Sequence, residues 1–136
     1  MMSLFRRRSV IRGAAAAAPL VVLVAGCAST TRVGSSRILQ LALTEYHVAP
    51  QTVSVPSGTV SIFVHNYGRL THNLVVSNGG RPLASTQPIP PGQTTELLTT
   101  LPAGRYLMSS TILSDQALGT YGTLTVTAAA RGRAGG

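Results

Sequence analysis

Few side chains in this chain of 136 residues are suited to act as nucleophiles, acids, bases or metal ligands. The chain holds one cysteine, three histidines and three acids, which are Cys27, His47, His65, His72, Glu45, Glu96 and Asp115. A paired-carboxylate hydrolase places two acids on either side of the bond that it cleaves. A cysteine-rich zinc module needs several thiolates, and an internal disulfide needs two. With one thiol and three scattered acids, the sequence leaves no room for these three kinds of site.

The cysteine follows a segment that is typical of a secretory signal peptide. Four arginines lie within the first 12 residues, and residues 14–25 are then apolar apart from Pro19. A basic start, a short apolar run and small residues before a cleavage point are the parts of such a signal. A membrane-spanning helix needs about 20 apolar residues, and this apolar run is shorter. We therefore predict that residues 1–26 are a signal peptide and that the mature chain is exported.

The residues at the cleavage point are more specific. Val24-Ala25-Gly26-Cys27 resembles the bacterial lipobox, in which the cysteine is acylated and becomes the mature N-terminus. This resemblance implies lipidation of Cys27 and location at the cell membrane, on its extracytoplasmic face. Each buried methylene of a lipid chain adds about 0.8 kcal/mol to membrane binding. An ordinary signal peptide that contains a cysteine is the alternative. Arg7-Arg8-Ser9-Val10-Ile11-Arg12 is similar to the twin-arginine signal, so both the Sec and the twin-arginine export routes stay open.

The net charge of +8 does not indicate nucleic-acid binding. Without residues 1–26 the chain keeps seven arginines against three acids, which gives a net charge of +4. Those arginines are scattered along the chain, and no basic stripe with interleaved aromatics is present in the sequence. We predict no nucleic-acid partner. The predicted partners are the membrane, through the lipid anchor, and an unidentified protein of the cell envelope.

Alternating apolar and polar residues predict an all-β domain. Short runs of this kind cover 52–55, 60–64, 72–76, 95–101, 106–112 and 123–127. Turn signals rich in glycine, proline and asparagine separate them, which is the pattern of a two-sheet sandwich. The predicted organisation has four parts, which are a lipoprotein signal peptide (1–26), a flexible tether (27–37), the folded domain (38–127) and a disordered tail (128–136).

Several short motifs, taken in order, resemble the cupredoxins, a family of small copper-binding β-sandwiches. The similarity covers residues 41–126. The motifs are Glu45-Tyr46-His47-Val48-Ala49-Pro50, Val55-Pro56-Ser57-Gly58-Thr59-Val60, Asn66-Tyr67-Gly68 followed by His72-Asn73-Leu74-Val75-Val76, Pro91-Gly92-Gln93-Thr94, Leu101-Pro102-Ala103-Gly104-Arg105-Tyr106 and residues 119–126. The resemblance implies a Greek-key β-sandwich of seven or eight strands, with the loops that carry His72 and Asp115 at the same end.

The same resemblance assigns positions to the copper ligands of the family, and most of them are lost. A type 1 copper site uses two histidine nitrogens, one cysteine thiolate and a weak axial methionine. His72 matches the first histidine, whereas Ser110, Asp115 and Thr120 stand where the cysteine, the second histidine and the methionine are expected. A serine hydroxyl is not ionised near neutral pH and is a weak copper ligand. We therefore predict no type 1 copper and no blue-copper electron transfer.

Two interpretations of His72 stay open. It shares strand parity with Leu74 and Val76, so we expect it to face inward near one end of the sandwich. It is then either a buried histidine that is hydrogen-bonded to a loop, or part of a modified Zn²⁺ or Cu²⁺ site with Asp115 and Ser110. Such a site would hold its metal ion weakly, and no other cofactor is expected.

The remaining candidates have ordinary structural interpretations. His47 and His65 are expected on solvated faces, and Met108 in the core. Ser110, His72 and Asp115 contain the residue types of a catalytic triad, but no Gly-x-Ser-x-Gly nucleophile turn accompanies them. We therefore expect no enzyme.

Two functions remain. The first is a lipid-anchored, extracytoplasmic cupredoxin-like domain without type 1 copper, which acts as a binding or structural module. The alternative is a copper- or metal-binding lipoprotein with a different kind of site around His72 and Asp115.

Overall fold

The alternation predicted from the sequence forms a two-sheet sandwich in the computed structural model, which describes Gly13 and residues 29–128. These residues form ten strands and one short helix. In chain order they are β1 (Thr31–Arg32), β2 (Ile38–Thr44), β3 (His47–Ala49), β4 (Thr52–Pro56), β5 (Gly58–Asn66), β6 (Val75–Asn78), β7 (Arg81–Ser85), β8 (Thr94–Leu101), β9 (Gly104–Ser109), α1 (Asp115–Leu118) and β10 (Tyr121–Thr127).

The strands form one sheet of six and one of four. The order in the larger sheet is β1-β4-β10-β9-β6-β7, and in the smaller sheet it is β3-β2-β5-β8. The pairs β1/β4, β4/β10 and β2/β5 are parallel, and the other pairs are antiparallel. The strand count exceeds the seven or eight expected because β1 and β3 have only two and three residues. Runs so short carry no recognisable alternation.

Side chains that alternate along the strands fill the space between the sheets. In β2 the inward residues Leu39, Leu41 and Leu43 are buried while their neighbours are exposed or half-buried. The parallel partner β5 contributes Val60, Ile62 and Val64 in the same way. The facing sheet supplies further buried residues, which include Val53, Val55, Val76, Tyr106, Met108, Leu124 and Val126. Because side chains on a strand alternate between two faces, this period-two pattern alone places the core.

The sandwich begins earlier in the chain than predicted. Thr31 and Arg32, within the predicted tether, form β1 and pair in parallel with Val53 and Ser54. The backbone N–H of Val33 then donates to the carbonyl of Ser54 at 2.8 Å. Both side chains of β1 are exposed. An edge strand of this kind is held by backbone hydrogen bonds, so its polar sequence gave no sign of it.

The two ends of the sandwich differ in their connections. At one end, here called the turn end, short connections lie around residues 34–37, 57, 79–80 and 102–103. At the other, here called the site end, the β2–β3 turn at 45–46 lies beside three longer segments, 67–74, 86–93 and 110–120. The registers place Asn66, Thr94, Val75, Ser109 and Tyr121 together at the boundary of the site end. The His72 and Asp115 segments therefore lie at the same end of the sandwich.

Several predictions concern residues outside the described part of the chain. The signal peptide, the lipidation site Cys27 and residues 129–136 of the tail all lie outside it. Among the residues that the structure does describe, no helix has the length and apolar character needed to cross a membrane.

Candidate functional site

His72 lies at the site end, just before β6. It forms an isolated bridge with Ile89, in which the His72 N–H donates to the Ile89 carbonyl at 3.2 Å and the Ile89 N–H donates back at 2.6 Å. This bridge fixes the backbone of segment 67–74 against segment 86–93. The imidazole is completely buried. The predicted strand over 72–76 starts only at Val75. At His72 the isolated bridge supplies the backbone pairing in place of a regular strand.

The structure brings the three predicted candidate residues together. His72 Nδ1 lies 2.6 Å from Asp115 Oδ2, and Ser110 Oγ lies 2.6 Å from the same oxygen. Asp115 opens helix α1 and Ser110 follows β9, so one carboxylate joins segment 67–74 to both parts of segment 110–120. All three side chains are buried. We call His72, Ser110 and Asp115 the buried polar cluster.

Asn73 holds Ser110 and its neighbour from the side. The Asn73 N–H donates to Ser110 Oγ at 3.3 Å, and Asn73 Oδ1 accepts from the Thr111 N–H at 2.8 Å. A hydroxyl has a single proton, and the shorter contact assigns that proton to Asp115 rather than to Asn73 Oδ1 at 3.2 Å. Ser110 therefore accepts from segment 67–74 and donates within its own segment, 110–120.

Backbone contacts close segment 110–120 around the carboxylate. The N–H of Thr120 donates to the Asp115 carbonyl at 2.9 Å, and the N–H of Ser110 donates to the Thr120 carbonyl at 3.1 Å. Gly119 ends α1 with a φ of 119°, a value that side-chain-bearing residues rarely adopt. A Cβ at Gly119 would lie 2.8 Å from the Tyr46 carbonyl oxygen. Glycine is therefore required here for both backbone angle and space.

A second carboxylate lies on the far side of the imidazole. Glu45 Oε1 is 3.7 Å from His72 Nε2, which is beyond hydrogen-bonding distance. The same oxygen accepts the backbone N–H groups of Leu70, at 2.8 Å, and of Arg69. The hydrogen bond from Leu70 is the largest cause that lowers the pKa of Glu45 below its ordinary value. Sequence reasoning gave Glu45 no role, although it is one of only three acids in the chain.

Two buried polar atoms at this end lack a partner. Within residues 29–128, His72 Nε2 and Thr120 Oγ1 are the buried side-chain nitrogen or oxygen atoms that make no hydrogen bond. Leaving a buried polar atom without a partner costs about 1–3 kcal/mol. The site end therefore carries a cost that the rest of the described sandwich avoids.

The arrangement does not have the geometry of a catalytic triad. A triad needs the serine hydroxyl bonded to the histidine and the histidine bonded to the acid. Here Asp115 lies in the middle and accepts from both Ser110 and His72. Ser110 is also completely buried, so a substrate has no access to its oxygen in this conformation.

The side chains also do not fit a type 1 copper ion. That site requires a thiolate and a second imidazole, and the cluster offers one imidazole nitrogen, one carboxylate and one hydroxyl. Within the described residues, no group of three or more histidine, cysteine, aspartate or glutamate side chains is placed to hold a metal ion. The side chains that would meet a metal hydrogen-bond to one another instead.

The other sequence candidates lie away from this cluster. His47 is exposed on β3, and Met108 is fully buried in the core. His65 is half-buried, because Thr94 and Tyr67 cover its ring. Its Nδ1 lies 2.6 Å from Thr94 Oγ1, and its ring centroid lies 4.0 Å from that of Tyr67. The structure thus brings together only His72 of the three histidines with Ser110 and Asp115.

Known structures share this fold. Reduced auracyanin from the photosynthetic bacterium Roseiflexus castenholzii matches with a TM-score of 0.62 and 20% identity, over 69% of this chain and 99% of that one. Reduced rusticyanin, elsewhere described as a copper protein, matches with a TM-score of 0.60 and 16% identity, over 72% and 84%. An azurin from Methylomonas sp. strain J gives a TM-score of 0.57 and 14% identity, over 65% and 96%.

Those identities are low enough that the likeness shows the fold alone. A multicopper oxidase also contains the fold, with a TM-score of 0.55 over 42% of its chain, so the fold does not decide between enzyme and non-enzyme. No curated protein is detectably similar in sequence. The sequence pattern of the family described as "Cupredoxin-like domain" matches residues 16–126, which is most of the chain, and the protein therefore belongs to the cupredoxin-like domain family.

Proposed function

We propose that this protein is a lipid-anchored, extracytoplasmic cupredoxin-like domain that works without type 1 copper, as a non-enzymatic binding or structural module. One observation carries the proposal: Asp115 accepts hydrogen bonds from both His72 and Ser110 at 2.6 Å. By the family resemblance, these three residues stand at three of the copper-ligand positions. Hydrogen bonds therefore join the segments that a copper ion would otherwise join.

The chemistry of the donors supports this proposal. A buried hydroxyl that donates to a carboxylate is neither ionised nor free to bind a soft metal ion. The imidazole nitrogen that faces the cluster is engaged by the same carboxylate. A copper ion in this position would have to break both hydrogen bonds, and it would gain one imidazole nitrogen and hard oxygen ligands but no thiolate in return.

The proposed anchor is the acylated sulfur of Cys27. It rests on the lipobox resemblance of residues 24–27 and on the signal-peptide pattern before it. Export by the Sec or the twin-arginine route would place the domain on the extracytoplasmic side of the cell membrane. Cys27→Ser should move the protein from the membrane fraction to the soluble fraction, with Ser29→Ala as the matched control that stays with the membrane. A wild-type chain that is already soluble contradicts the anchor.

Restoring the family's ligands tests the assignment of the site. The variant Ser110→Cys/Asp115→His/Thr120→Met, which keeps His72, should bind Cu²⁺ and show the intense blue absorption of a copper–thiolate bond. The wild type loaded with Cu²⁺ should lack that band, since it has no thiolate in the sandwich. Adding His72→Ala to the triple variant should abolish the colour. A folded triple variant that stays colourless would show that the ligand positions are wrongly assigned, and a blue wild type would overturn the proposal.

A second candidate function is metal binding at a site of another kind. The observation that favours it is the convergence of His72 Nδ1 and Ser110 Oγ on one oxygen of Asp115, each at 2.6 Å. Such a set is suited to Zn²⁺ or Cu²⁺. Calorimetric titration with Zn²⁺ and Cu²⁺ distinguishes the candidates. Stoichiometric uptake that is lost in His72→Ala but kept in His47→Ala supports the metal site, and its absence supports the copper-free module.

A further inference from the structure

The exposed apolar side chains of the sandwich are concentrated at the site end. Of the ten large hydrophobic residues that are exposed in the described chain, six lie there. They are Tyr46, Tyr67, Leu70, Leu113, Leu118 and Tyr121. The four segments of this end contain a single cation, Arg69, and their two acids, Glu45 and Asp115, are engaged in hydrogen bonds. The turn end, by contrast, carries Arg37, Arg81 and Arg105 in or next to its connections.

These side chains belong to one surface. Glu45 binds the backbone of Leu70, and Tyr46, the next residue, approaches Gly119 beside Leu118. Leu113 and Tyr121 line one shallow depression, which begins at this end and extends along the outer face of the larger sheet to Leu107. We call the set of Tyr46, Leu70, Leu113, Leu118 and Tyr121 the apolar end surface.

Leu113 is the most unusual member of this surface. Its side chain is 88% exposed, and its backbone has a positive φ of 55°. Tyr46, at 54% exposed, also has a positive φ, of 67°. Glycine or asparagine adopts this conformation at lower cost and is more soluble when exposed. Backbone strain that holds an apolar side chain out into solvent is typical of a functional contact.

The start of β1 determines where an anchor at Cys27 would hold the domain. Cys27 precedes Thr31 by four residues, and four residues span at most about 14 Å. A tether that ran to residue 37 would allow more than twice that distance. β1 pairs in parallel with β4, which is itself parallel to β10, and β10 begins at the site end. The N-terminal side of β1 therefore points toward the site end.

The strand register gives the distance between Thr31 and the site end. Thr31 pairs with Val53, and Val53 pairs with Leu124, three residues after Tyr121. Three residues of strand correspond to about 10 Å. An anchor at Cys27 can therefore lie as far along as the level of the apolar end surface, because four residues span up to about 14 Å.

We propose that the site end of the sandwich rests on the lipid surface, with Leu113 and Leu118 inserted among the headgroups and the buried polar cluster directly above them. The inference rests on the proposed acylation of Cys27 and adds a fixed orientation to it. The direction of β1 favours this end, and so, independently, do its exposed apolar side chains and its single cation. Tyrosine side chains are suited to the membrane interface, because the ring meets lipid while the hydroxyl meets water, and exposed leucine side chains bury their apolar surface in the lipid.

Site-directed spin labelling of the acylated full chain tests this orientation. Leu113→Cys and Leu98→Cys each introduce one free thiol, since the sulfur of Cys27 is consumed by acylation. Leu98 is 66% exposed on the outer face of the smaller sheet and serves as the matched control. The labelled proteins are reconstituted in vesicles of phosphatidylethanolamine and phosphatidylglycerol. Collisions of each label with oxygen, which dissolves in lipid, and with a water-soluble nickel chelate are then compared.

The label at residue 113 should collide more with oxygen than with the nickel chelate, and the label at residue 98 should show the reverse. Adding Cys27→Ser to Leu113→Cys should return label 113 to water. Equal exposure of both labels to the nickel chelate on vesicle-bound protein would overturn the orientation while leaving the anchor intact. A label at 113 that is shielded from both probes would indicate a protein contact and would also overturn it. If the chain with intact Cys27 does not float with the vesicles, the anchor itself is wrong.

Discussion

The two ends of the sandwich are closed by different means. At the turn end, strands are joined by short connections whose polar groups are satisfied locally, as where the Tyr106 hydroxyl donates to the Pro102 carbonyl at 2.5 Å. At the site end lie three segments of eight to eleven residues, of which 67–74 and 86–93 run from one sheet to the other and 110–120 joins two strands of the larger sheet. Longer connections lose more entropy on closing, and here buried side chains compensate. The buried polar cluster thus acts as a cross-link between segments 67–74 and 110–120.

Features that cost folding free energy are concentrated at the site end. It contains both partnerless buried polar atoms of the described residues and two of the three non-glycine residues with positive φ. Such features persist where the surrounding structure holds them, and they concentrate at functional sites. The turn end has one counterpart, Arg37, whose guanidinium donates to the Ser57 carbonyl.

Removing the shared acceptor should have the largest effect. Asp115→Ala leaves the buried His72 Nδ1 and the Ser110 hydroxyl without their partner, at about 1–3 kcal/mol for each group. We expect the free energy of unfolding to fall by about 3 kcal/mol in denaturant titration. The control is Glu96→Ala, which removes an exposed carboxylate that bonds Ser61 and should cost less than about 1 kcal/mol. Equal losses in the two variants would contradict the cross-link.

Two glycines at opposite ends provide a matched pair. Gly119→Ala at the site end introduces a Cβ only 2.8 Å from the Tyr46 carbonyl oxygen, at a φ of 119°. Gly79→Ala at the turn end has a φ of 55° and no atom within 4 Å of the new Cβ. We expect losses of about 2 kcal/mol and about 1 kcal/mol, respectively, because only the first adds a backbone clash to the conformational cost. Thermal unfolding of both variants measures the difference, and the opposite order would show that the site end tolerates displacement.

The Glu45 carboxylate should make the site end sensitive to acid. Backbone N–H groups stabilise its charged form, so its pKa is lowered in the folded state. The stabilisation is therefore fully present above the pKa of Glu45 in the unfolded chain, and it is lost as the pH falls through the lower folded pKa. Glu45→Gln should be less stable than wild type near neutral pH, and the gap should narrow as the pH drops below about 4. A gap that stays constant across this range would exclude the ionised carboxylate as its cause.

The smallest expected effect has the opposite sign. Leu113→Asn should stabilise the protein by up to about 1 kcal/mol, because asparagine adopts a positive φ at lower cost than leucine does. Leu98→Asn, on an exposed strand position, should be neutral or slightly destabilising. Denaturant titration of both variants measures this. A destabilised Leu113→Asn would show that Leu113 supports the fold rather than a contact outside it.

The fold class and much of the core follow from local sequence patterns. Period-two alternation selects β-strands, and a strand's pleat then assigns each side chain to a face, so Val53, Ile62 and Val64 could be placed without any structure. That His72 and Asp115 lie at one end was implied by the resemblance to the cupredoxins and not by any local pattern. The prediction of a cupredoxin-like β-sandwich is confirmed by the family match and by the structures that share the fold.

The contacts of the site residues, by contrast, follow only from the tertiary structure. Residues 72 and 115 are 43 apart in sequence, and no local pattern shows that Asp115 accepts from His72 and Ser110 at once. Glu45 reaches the other side of the ring only because strand β2 delivers it there, and β1 is an edge strand that backbone pairing forms from a polar sequence. Backbone pairing and long-range hydrogen bonds depend on which atoms the folded chain brings together. Local alternation records which face is buried, and it carries no information about those partners.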